Sequence, residues 1–347
     1  MSRILKISLA MMTLAGVLAF AVGLQFSRFL HTPVTVPDDG AAVEIHPGTA
    51  FGQVSEELSE RGIISHPSLF RWYARLSGKA GRIQAGEYQV EPGMDPRKML
   101  DRFVSGGVKL HAFTIVEGWT FRDLLAALAS DPIVETTLVY EDWPALLESL
   151  GAQASHPEGL FLPETYRIPK GMTDVDVLRQ AYKLMQDVLA EAWQRRAEGL
   201  PIHSPYEALI LASIVEKETA LAAERPRIAG VFVRRLQAGM RLQTDPTVIY
   251  GIGIDFNGNL TRRDLRTDTP YNTYTRRGLP PTPIALPGRA AIAAAVNPAP
   301  GRELYFVATG LGDGSHKFSE TRDEHDQAVR EYLARQRAAK SAPRGQQ

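Results

Sequence analysis

The chain has 347 residues, enough for two domains with a substantial hydrophobic core. It carries 39 basic and 39 acidic residues, and this formal net charge of +0 gives no sign of a nucleic acid as partner. The sequence contains no Cys, which excludes disulfides, a thiolate nucleophile and a Cys-based metal site. This does not decide the compartment, because many exported proteins also lack disulfides.

The amino terminus predicts a membrane anchor. Arg3 and Lys6 precede an uncharged, mostly apolar run over residues 7–24, which is long enough to span a bilayer. The positive charges before the run favour a cytoplasmic N-terminus, with the body of the protein on the outer side of the inner membrane. We therefore interpret residues 1–30 as a cytoplasmic tip and an uncleaved anchor. The alternative is a signal peptide cleaved at the Ala-Phe-Ala sequence of residues 19–21.

A linker and a repeated pattern follow the anchor. Residues 31–42 contain Pro, Asp and Gly and predict a short tether. Four later segments share the order strand, glycine-bearing turn and amphipathic helix, and they begin at Val43, Tyr88, Phe113 and Tyr166. The spacing between them is too irregular for a solenoid.

Residues 43–108 predict a small subdomain. After its first strand and helix, the sequence predicts a second helix from Pro67 to about Leu76 and a strand over Gly86–Val90. This strand–helix–helix–strand order is that of a LysM-like module, which binds N-acetylated glycans in a shallow groove. The alternative is a compact α+β subdomain without a binding role, because such arrangements are common and no signature motif is present.

A capping signal begins the helix on which the functional argument depends. Ser204, Pro205 and Glu207 supply a capping side chain, a Pro at the first helical position and an acidic residue three positions after the cap. The apolar run that follows predicts a helix up to a loop around residues 224–226.

Glu218 is the candidate catalytic acid on this helix. At about 100° per residue, Leu211, Ile214 and Val215 lie on the same side as Glu218, whereas Glu216 points to the opposite side. A carboxyl group among aliphatic side chains is desolvated, which raises its pKa as a general acid near neutral pH requires. The alternative is that Glu218 turns into solvent or pairs with a Lys or Arg.

The segment after Gly239 predicts a sugar-binding surface. Polar and aromatic side chains lie there on Pro-rich, loop-like stretches that suit hydrogen bonding to sugars and stacking on their rings. His316 and His325 fit no metal-ligand spacing, so we expect no metal site. Glu164, between aromatic residues and a Pro, joins the set of candidate substrate-binding residues, which are Glu164, Gln243, Asp245, Tyr271, Asn272 and Tyr274.

These motifs resemble the MltG (YceG-like) family of endolytic murein transglycosylases. The resemblance rests on Ala-Ser-Ile-Val-Glu-Lys-Glu-Thr at 212–219, Arg-Leu-Gln-Thr-Asp-Pro-Thr-Val at 241–248 and the motifs at 271–274 and 278–284. It extends from the anchor to the last predicted helix. The catalytic Glu of the family corresponds to Glu218, which is the residue that the helical spacing selects independently.

The resemblance implies the reaction. It is cleavage of the β-1,4 bond between N-acetylmuramic acid and N-acetylglucosamine without water, which leaves a 1,6-anhydromuramic end. The substrate would be nascent glycan strands during cell-wall synthesis, and neither a metal nor an organic cofactor is implied. Expected partners are peptidoglycan strands, the inner membrane through residues 7–24 and proteins of cell-wall synthesis.

The resemblance also implies the fold, in which an inner-membrane anchor carries a LysM-like subdomain and a catalytic domain in the periplasm or outside the cell. We expect an α+β protein with the catalytic Glu on a helix. The expected divisions are a transmembrane anchor at 1–30, a linker at 31–42, a LysM-like subdomain at 43–108, a transglycosylase domain at 109–337 and a disordered tail at 338–347.

Two other classes of function stay open. One is a muramidase-type hydrolase in which Glu164 or Asp245 supplies the second carboxylate that hydrolysis requires. The other is a non-catalytic, membrane-tethered glycan-binding protein that positions synthetic enzymes. Glu218 argues against the binding protein, because a pure binding surface has no need of a desolvated acid.

Overall fold

The structure, a computed structural model, describes residues 3–341. Its contacts divide the chain into two compact units. The first, the N-terminal unit, comprises the chain up to His111 together with Arg167–Met172. The second, the C-terminal unit, comprises Ala112–Tyr166 and the chain from Thr173 onward. The protein has a mixed α+β fold.

The N-terminal unit combines a long apolar helix with a strand–helix–helix–strand arrangement. The two strands pair antiparallel, with Ala41 opposite Val90 and Ile45 opposite Gly86. Their buried side chains and those of the helices form one core. The elements are α1 (Arg3–His31), β1 (Ala41–Ile45), α2 (Phe51–Glu60), α3 (Pro67–Leu76), β2 (Gly86–Val90) and α4 (Pro96–Ser105). The order predicted for residues 43–90 is therefore the order that the structure has.

Helix α1 is the candidate membrane span. The most apolar 18-residue window of its segment Ile7–His31 has a mean hydropathy of 2.2 and is not buried in the protein. The end of the helix is different, because Phe29 and Leu30 are only 7% and 8% exposed and belong to the core of the N-terminal unit. The anchor predicted from the sequence thus corresponds to a single continuous helix, which ends inside a folded domain. Met1 and Ser2, part of the predicted cytoplasmic tip, lie outside the described residues.

The segment predicted as a short tether packs against the rest of the N-terminal unit. The backbone N–H of Val34 donates to the carbonyl of Met94 at 2.7 Å, and that of Thr35 donates to the carbonyl of Ile63 at 3.1 Å. Val34 is also buried. Proline and glycine in this segment indicated turns correctly, but the sequence pattern did not show the hydrogen bonds to distant residues that fix it.

From Leu110 onward the chain is mainly helical, with short strands. Strands β3 and β5 pair, as do β4 and β6, and β7 pairs antiparallel with β8. The elements from Leu110 onward are β3 (Leu110–Thr114), α5 (Phe121–Ser130), β4 (Val134–Glu135), α6 (Trp143–Leu150), β5 (Thr165–Pro169), β6 (Met172–Thr173), α7 (Asp174–Gln194), α8 (Pro205–Glu218), α9 (Arg225–Gln237), α10 (Asp245–Ile252), α11 (Arg262–Arg266), α12 (Arg289–Val296), β7 (Tyr305–Ala308), β8 (His316–Ser319) and α13 (Arg322–Ser341).

The four repeated turns predicted from the sequence share one backbone conformation. Gly48, Gly93, Gly118 and Gly171 all have φ between 79° and 81°. This conformation suits the third position of a type II turn, where a side chain would be strained and glycine is not. In each case a helix follows the turn, so the pattern was a sound guide to local structure.

Helix α8 lies at the centre of the C-terminal unit. Every residue from Ala208 to Val215 is buried, so the helix has no solvent-facing side over this stretch. It packs against α7, α9, α10 and α12. Helix α12 is rich in alanine, and these small side chains let two helix backbones approach closely. A helix enclosed in this way gives its end a fixed position.

Three local expectations after Ser204 were wrong. Helix α8 ends at Glu218 rather than near residue 224. The region after Gly239, expected to be loop-like, contains α10 and α11, since Asp-Pro at residues 245–246 begins a helix that its Thr, Val and Ile content concealed. Helix α13 continues to Ser341, beyond the predicted start of the tail at 338, and residues 342–347 of that tail lie outside the described part.

Candidate active site

Glu218 is the last residue of α8. Ser204 caps the helix start by accepting a hydrogen bond from the Glu207 N–H at 3.2 Å, and Pro205 occupies the first helical position. The helix ends where Thr219 adopts an extended conformation. The negative end of the helix dipole therefore lies at Glu218, and it disfavours the charged form of the carboxyl group.

The carboxyl group of Glu218 is set for proton exchange near neutral pH. Its burial raises its pKa to about 7, and the nearby negative charge of Asp245 acts in the same direction. The Thr244 hydroxyl donates a hydrogen bond to Oε1 of Glu218, which lowers the pKa. The positive charges of His316 and Arg235 also oppose the rise. Desolvation is the largest effect, so the acid is about half protonated near pH 7.

The segment that carries Thr244 has an unusual backbone. Gln243, an exposed residue, has φ of 51°, a left-handed conformation that side chains other than glycine rarely adopt. Its N–H donates to the carbonyl of Thr273 at 3.2 Å, and the Thr244 N–H donates to the Thr273 hydroxyl at 3.1 Å. These bonds hold the strained residue in place and direct Thr244 towards Glu218.

Arg235 supports the segment that carries Gln243 and Thr244. Its guanidinium group, only 7% exposed as a residue, donates from Nη1 to the carbonyl of Leu242 and from Nε to the carbonyl of Leu304, both at 2.6 Å. The arginine thereby connects the strained segment to the start of β7. The sequence analysis did not select Arg235, because its role depends on contacts with residues far away in the chain.

Asp245 and Tyr274 form the second polar pair near Glu218. The Tyr274 hydroxyl donates to Oδ1 of Asp245 at 2.5 Å. The charges of Glu218 and Asp245 raise the pKa of Tyr274, in addition to the larger effect of burial. The structure therefore brings together three of the residues that the sequence selected, Glu218, Asp245 and Tyr274, with Gln243 beside them in the chain.

The side chain of Asn272 forms its hydrogen bonds with the protein backbone. The residue is only 1% exposed. Its amide nitrogen donates to the carbonyls of Asp264, Leu265 and Thr267, and its carbonyl oxygen accepts from the Tyr274 N–H at 2.8 Å. Asn272 therefore fixes the loop that presents Tyr274.

Tyr271 lies in a different group of residues, around the buried carboxyl of Glu158. Tyr271 contacts Tyr250 edge-to-face, and the Tyr250 hydroxyl donates to Glu158 at 3.0 Å. The Phe121 N–H donates to the other oxygen of Glu158 at 2.9 Å. Burial raises the pKa of Glu158 to about 8. The sequence analysis did not select Glu158, because its burial depends on contacts with residues far away in the chain.

Glu164 is exposed and separate from the contacts of Glu218. One of its oxygens accepts from the N–H of Thr165, and the other lies 3.9 Å from Nε of Arg289 at the start of α12. Among the residues that the structure describes, Glu164 forms no hydrogen bond or ion pair with Thr244, Asp245 or Tyr274.

Glu216 is buried in an ion pair. Its side chain is 4% exposed and lies 2.9 Å from the Arg225 guanidinium, which also contacts Glu117 at 3.3 Å. The N–H of Gly288 donates to the second oxygen of Glu216 at 2.9 Å. Glu216 does point away from the surroundings of Glu218, but it enters a structural network rather than solvent.

His316 is bound to Glu224. Its Nδ1 lies 2.7 Å from one oxygen of Glu224, and its backbone N–H donates to the other oxygen at 2.9 Å. Over residues 3–341, no group of three or more His, Asp or Glu side chains is placed to hold a metal ion.

The fold and these contacts define a candidate acid–base site of an α+β protein, centred on one protonatable carboxyl group at a helix end. Comparison with known proteins identifies the protein family. A family model described as the YceG-like family matches residues 43–331, and the chain belongs to this family.

Relatives of described function are similar to most of this chain. An endolytic murein transglycosylase of Bacillus subtilis is 29% identical over 310 residues, which cover 84% of each protein. A protein of the same description from Streptococcus pneumoniae is 28% identical over 84% of this chain, and the match spans 58% of the relative's length. A crystal structure of a YceG-like protein from Listeria monocytogenes is 28% identical, covers 84% of this chain and 99% of its own, and superposes with a TM-score of 0.48.

Proposed function

We propose that the protein is a membrane-anchored endolytic lytic transglycosylase of peptidoglycan. The observation that carries the proposal is Glu218, a carboxyl group with a pKa of about 7 beside Asp245 and Tyr274. Relatives described as endolytic murein transglycosylases support the substrate and the reaction.

One carboxyl group can perform both proton transfers of this reaction. Protonated Glu218 donates its proton to the glycosidic oxygen as the bond from that oxygen to C1 of N-acetylmuramic acid breaks. The C6 hydroxyl of the same sugar then forms a bond to C1, and its proton passes to the Glu218 carboxylate. The product carries a 1,6-anhydro ring, no water is consumed, and Glu218 returns to its protonated form.

The residues around Glu218 are proposed to hold the sugar and stabilise charge. The Asp245 carboxylate suits the stabilisation of positive charge that develops at C1, and Tyr274 keeps this carboxylate in place. Gln243 has a strained backbone and is exposed, so its side chain is accessible for a hydrogen bond to a sugar hydroxyl. Asn272 and Tyr271 are proposed to act through the loops they support, and Glu164 to contact the glycan at a distance from the cleaved bond.

The N-terminal unit is proposed to bind glycan as a LysM-like module. An open groove of about 520 Å³ lies there between residues 48–52, the side chain of Arg71, and Ala80, Gly81 and Ile83, which follow α3. Polar backbone and long side chains in a shallow groove suit a sugar chain.

The location is proposed from the N-terminal helix. Residues 7–24 would cross the inner membrane, with Arg3 and Lys6 in the cytoplasm and both folded units on the periplasmic side. This location would bring the protein to nascent glycan strands and to the proteins that synthesise them.

The products of purified peptidoglycan test the proposal. Non-hydrolytic cleavage gives fragments about 18 mass units lighter than hydrolytic ones, by the mass of one water, and their ends resist borohydride reduction. Mass spectrometry should show such ends, formed within chains rather than only at their termini. Reducible ends would establish a muramidase, with Asp245 as the second carboxylate to examine, and an absence of new ends would establish a binding protein.

A further inference from the structure

Helix α1 does not end at the edge of its apolar span but enters the core of the N-terminal unit. The Phe29 ring contacts the rings of His66 and Phe70 edge-to-face, with centroids 6.0 Å and 6.4 Å apart. His66 precedes α3 and Phe70 lies in its first turn. The start of α3 is therefore fixed directly against the helix that is the candidate membrane span.

The height of this contact follows from helix geometry. Phe29 lies five residues after Leu24, the last residue of the uncharged run, which corresponds to about 7 Å along the helix axis. A lipid headgroup layer is about 5–8 Å thick on each side of the hydrocarbon core. The start of α3 thus lies at the level of the headgroups when α1 spans the bilayer.

Helix α3 has an apolar side that the domain covers only in part. Phe70 and Ala74 are fully buried, and Leu69 and Tyr73 on the adjoining side pack against the core. Trp72 and Leu76, one turn apart, continue this apolar side but are 59% and 77% exposed. They are among the most exposed large apolar side chains of the folded units.

A cation lies beside the exposed pair. Arg75 is exposed, whereas Arg71 and Lys79 are engaged by Glu56 and Asp101. Tryptophan and leucine bordered by arginine are the residues of helices that lie in the membrane–water interface, where the indole ring occupies the headgroup level and the cation pairs with anionic lipid.

We propose that the exposed side of α3, formed by Trp72, Leu76 and Arg75, rests on the lipid headgroups next to the membrane span. The proposal rests on membrane anchoring through α1 but not on the transglycosylase chemistry. A lipid surface is the occupant that fits, because the start of α3 is fixed against the helix that enters the bilayer and the exposed Arg75 has the charge that anionic lipid attracts. The N-terminal unit would then have one fixed face towards the membrane.

Spin labels test the position of this face in the full-length chain. The sequence contains no Cys, so each introduced cysteine carries the only label. Leu76→Cys reports on the proposed face and Phe20→Cys on the span. Ser105→Cys is the matched control. Ser105 is exposed at the end of α4, as Leu76 is at the end of α3. The first residue of α4, Pro96, lines one cavity with Phe29, so this helix also starts close to α1.

Each variant is measured in detergent and in nanodiscs that contain anionic phospholipid and one copy of the chain. In nanodiscs, the Leu76→Cys label should collide more often with oxygen and less often with a water-soluble nickel chelate, as the Phe20→Cys label does. The accessibility of the Ser105→Cys label should be the same in detergent and in nanodiscs. A Leu76→Cys label that stays accessible to nickel overturns the proposal. Reduced access to both reagents at this label would indicate protein contact and overturn it as well. If the Phe20→Cys label stays in water, the anchor and the proposal are both wrong.

Tryptophan quenching supplies a second readout without a label. Brominated lipids quench indole fluorescence only at close range, and the other tryptophans, Trp119, Trp143 and Trp193, lie in the C-terminal unit. Quenching of the full chain should be largely lost in Trp72→Phe, which keeps the side apolar. Equal quenching in both proteins would overturn the proposal. Neither measurement depends on cleavage of glycan, so a failure here is distinct from a failure of the proposed function.

Discussion

Glu218 differs from the other acidic residues of its helix in what surrounds its carboxyl group. Glu216 has a guanidinium partner at 2.9 Å, whereas Glu218 accepts a hydrogen bond from the neutral hydroxyl of Thr244. A neutral partner does not compensate for lost hydration of a carboxylate as a cation does. The proton therefore stays on Glu218 up to a pH of about 7.

Replacing Glu218 with Gln should abolish activity and preserve the fold. The amide keeps the volume and the hydrogen bond from Thr244 but has no acidic proton, so the rate should fall by at least about 10²-fold. Glycan release per folded molecule, with circular dichroism on the same sample, measures both effects.

Glu216→Gln is the informative comparison on the same helix. It leaves the buried Arg225 without a full counter-charge, so its main effect should be on stability, of the order of 3 kcal/mol. Its activity per folded molecule should stay well above that of Glu218→Gln. If the two variants lost activity equally, or Glu216→Gln lost more, the assignment of Glu218 as the acid would be wrong.

Removal of two neighbours of Glu218, Thr244 and Asp245, should shift the pH dependence of the rate in opposite directions. The acid must be protonated to act, so kcat/KM should fall as the pH rises through about 7. Thr244→Val removes a bond that lowers this pKa and should move the fall to higher pH, whereas Asp245→Asn removes a charge that raises it and should move the fall to lower pH. Thr244→Ser, which keeps the hydroxyl, should leave the fall where it is. Shifts of the same sign in Val and Asn variants would contradict the assigned electrostatics.

At the scale of elements, the amphipathic argument selected Glu218 as the candidate acid, but for an incomplete reason. Leu211, Ile214 and Val215 are buried on its side, as expected, but so is the opposite side of α8. Burial alone therefore does not separate Glu218 from Glu216. The separation comes from Arg225, which approaches from the start of α9, and periodicity along one helix cannot show where a side chain of another helix lies.

The region around Gln243 shows where sequence reasoning reached its limit. Its polar character was apparent, and the candidates Asp245 and Tyr274 lie near Glu218 in the structure. The left-handed backbone of Gln243 and its support by Arg235 depend on contacts with Thr273 and Leu304, thirty or more residues away along the chain. Local propensity contains no information about such contacts, whereas the glycine turns of the four repeats are local and were predicted.

Arg235→Lys should test whether this support matters for catalysis. One ammonium group cannot reproduce the geometry with which a guanidinium bonds to the carbonyls of Leu242 and Leu304. We expect a loss of about 1–3 kcal/mol in stability, together with a fall in kcat that exceeds any change in KM. Thermal unfolding and steady-state kinetics measure these effects. Arg234→Lys, at the neighbouring position and bonded to Glu303 and Ala299, is the control and should leave kcat unchanged.

At the scale of the whole molecule, the anchor makes a separate prediction. Helix α1 passes without interruption through residues 19–21, the alternative cleavage site, and its last turn is part of the core of the N-terminal unit. The mature protein should therefore retain residues 1–30 and remain in the membrane fraction. Intact mass of membrane-extracted protein decides this point, and a chain that begins near Val22 would show a cleaved signal peptide.

The packed segment after α1 leaves the anchored chain almost no slack. A free tether of twelve residues would let its ends move apart by about 20 Å on average, and by about 40 Å when stretched. Here Val34 and Thr35 are bonded to Met94 and Ile63, so that freedom is absent. When α1 spans the bilayer as proposed, the N-terminal unit is held in a thin layer next to the membrane and does not reach into the mature wall. Glycan strands would thus be chosen by their distance from the membrane before any sugar is recognised, and newly made strands are the ones within that distance.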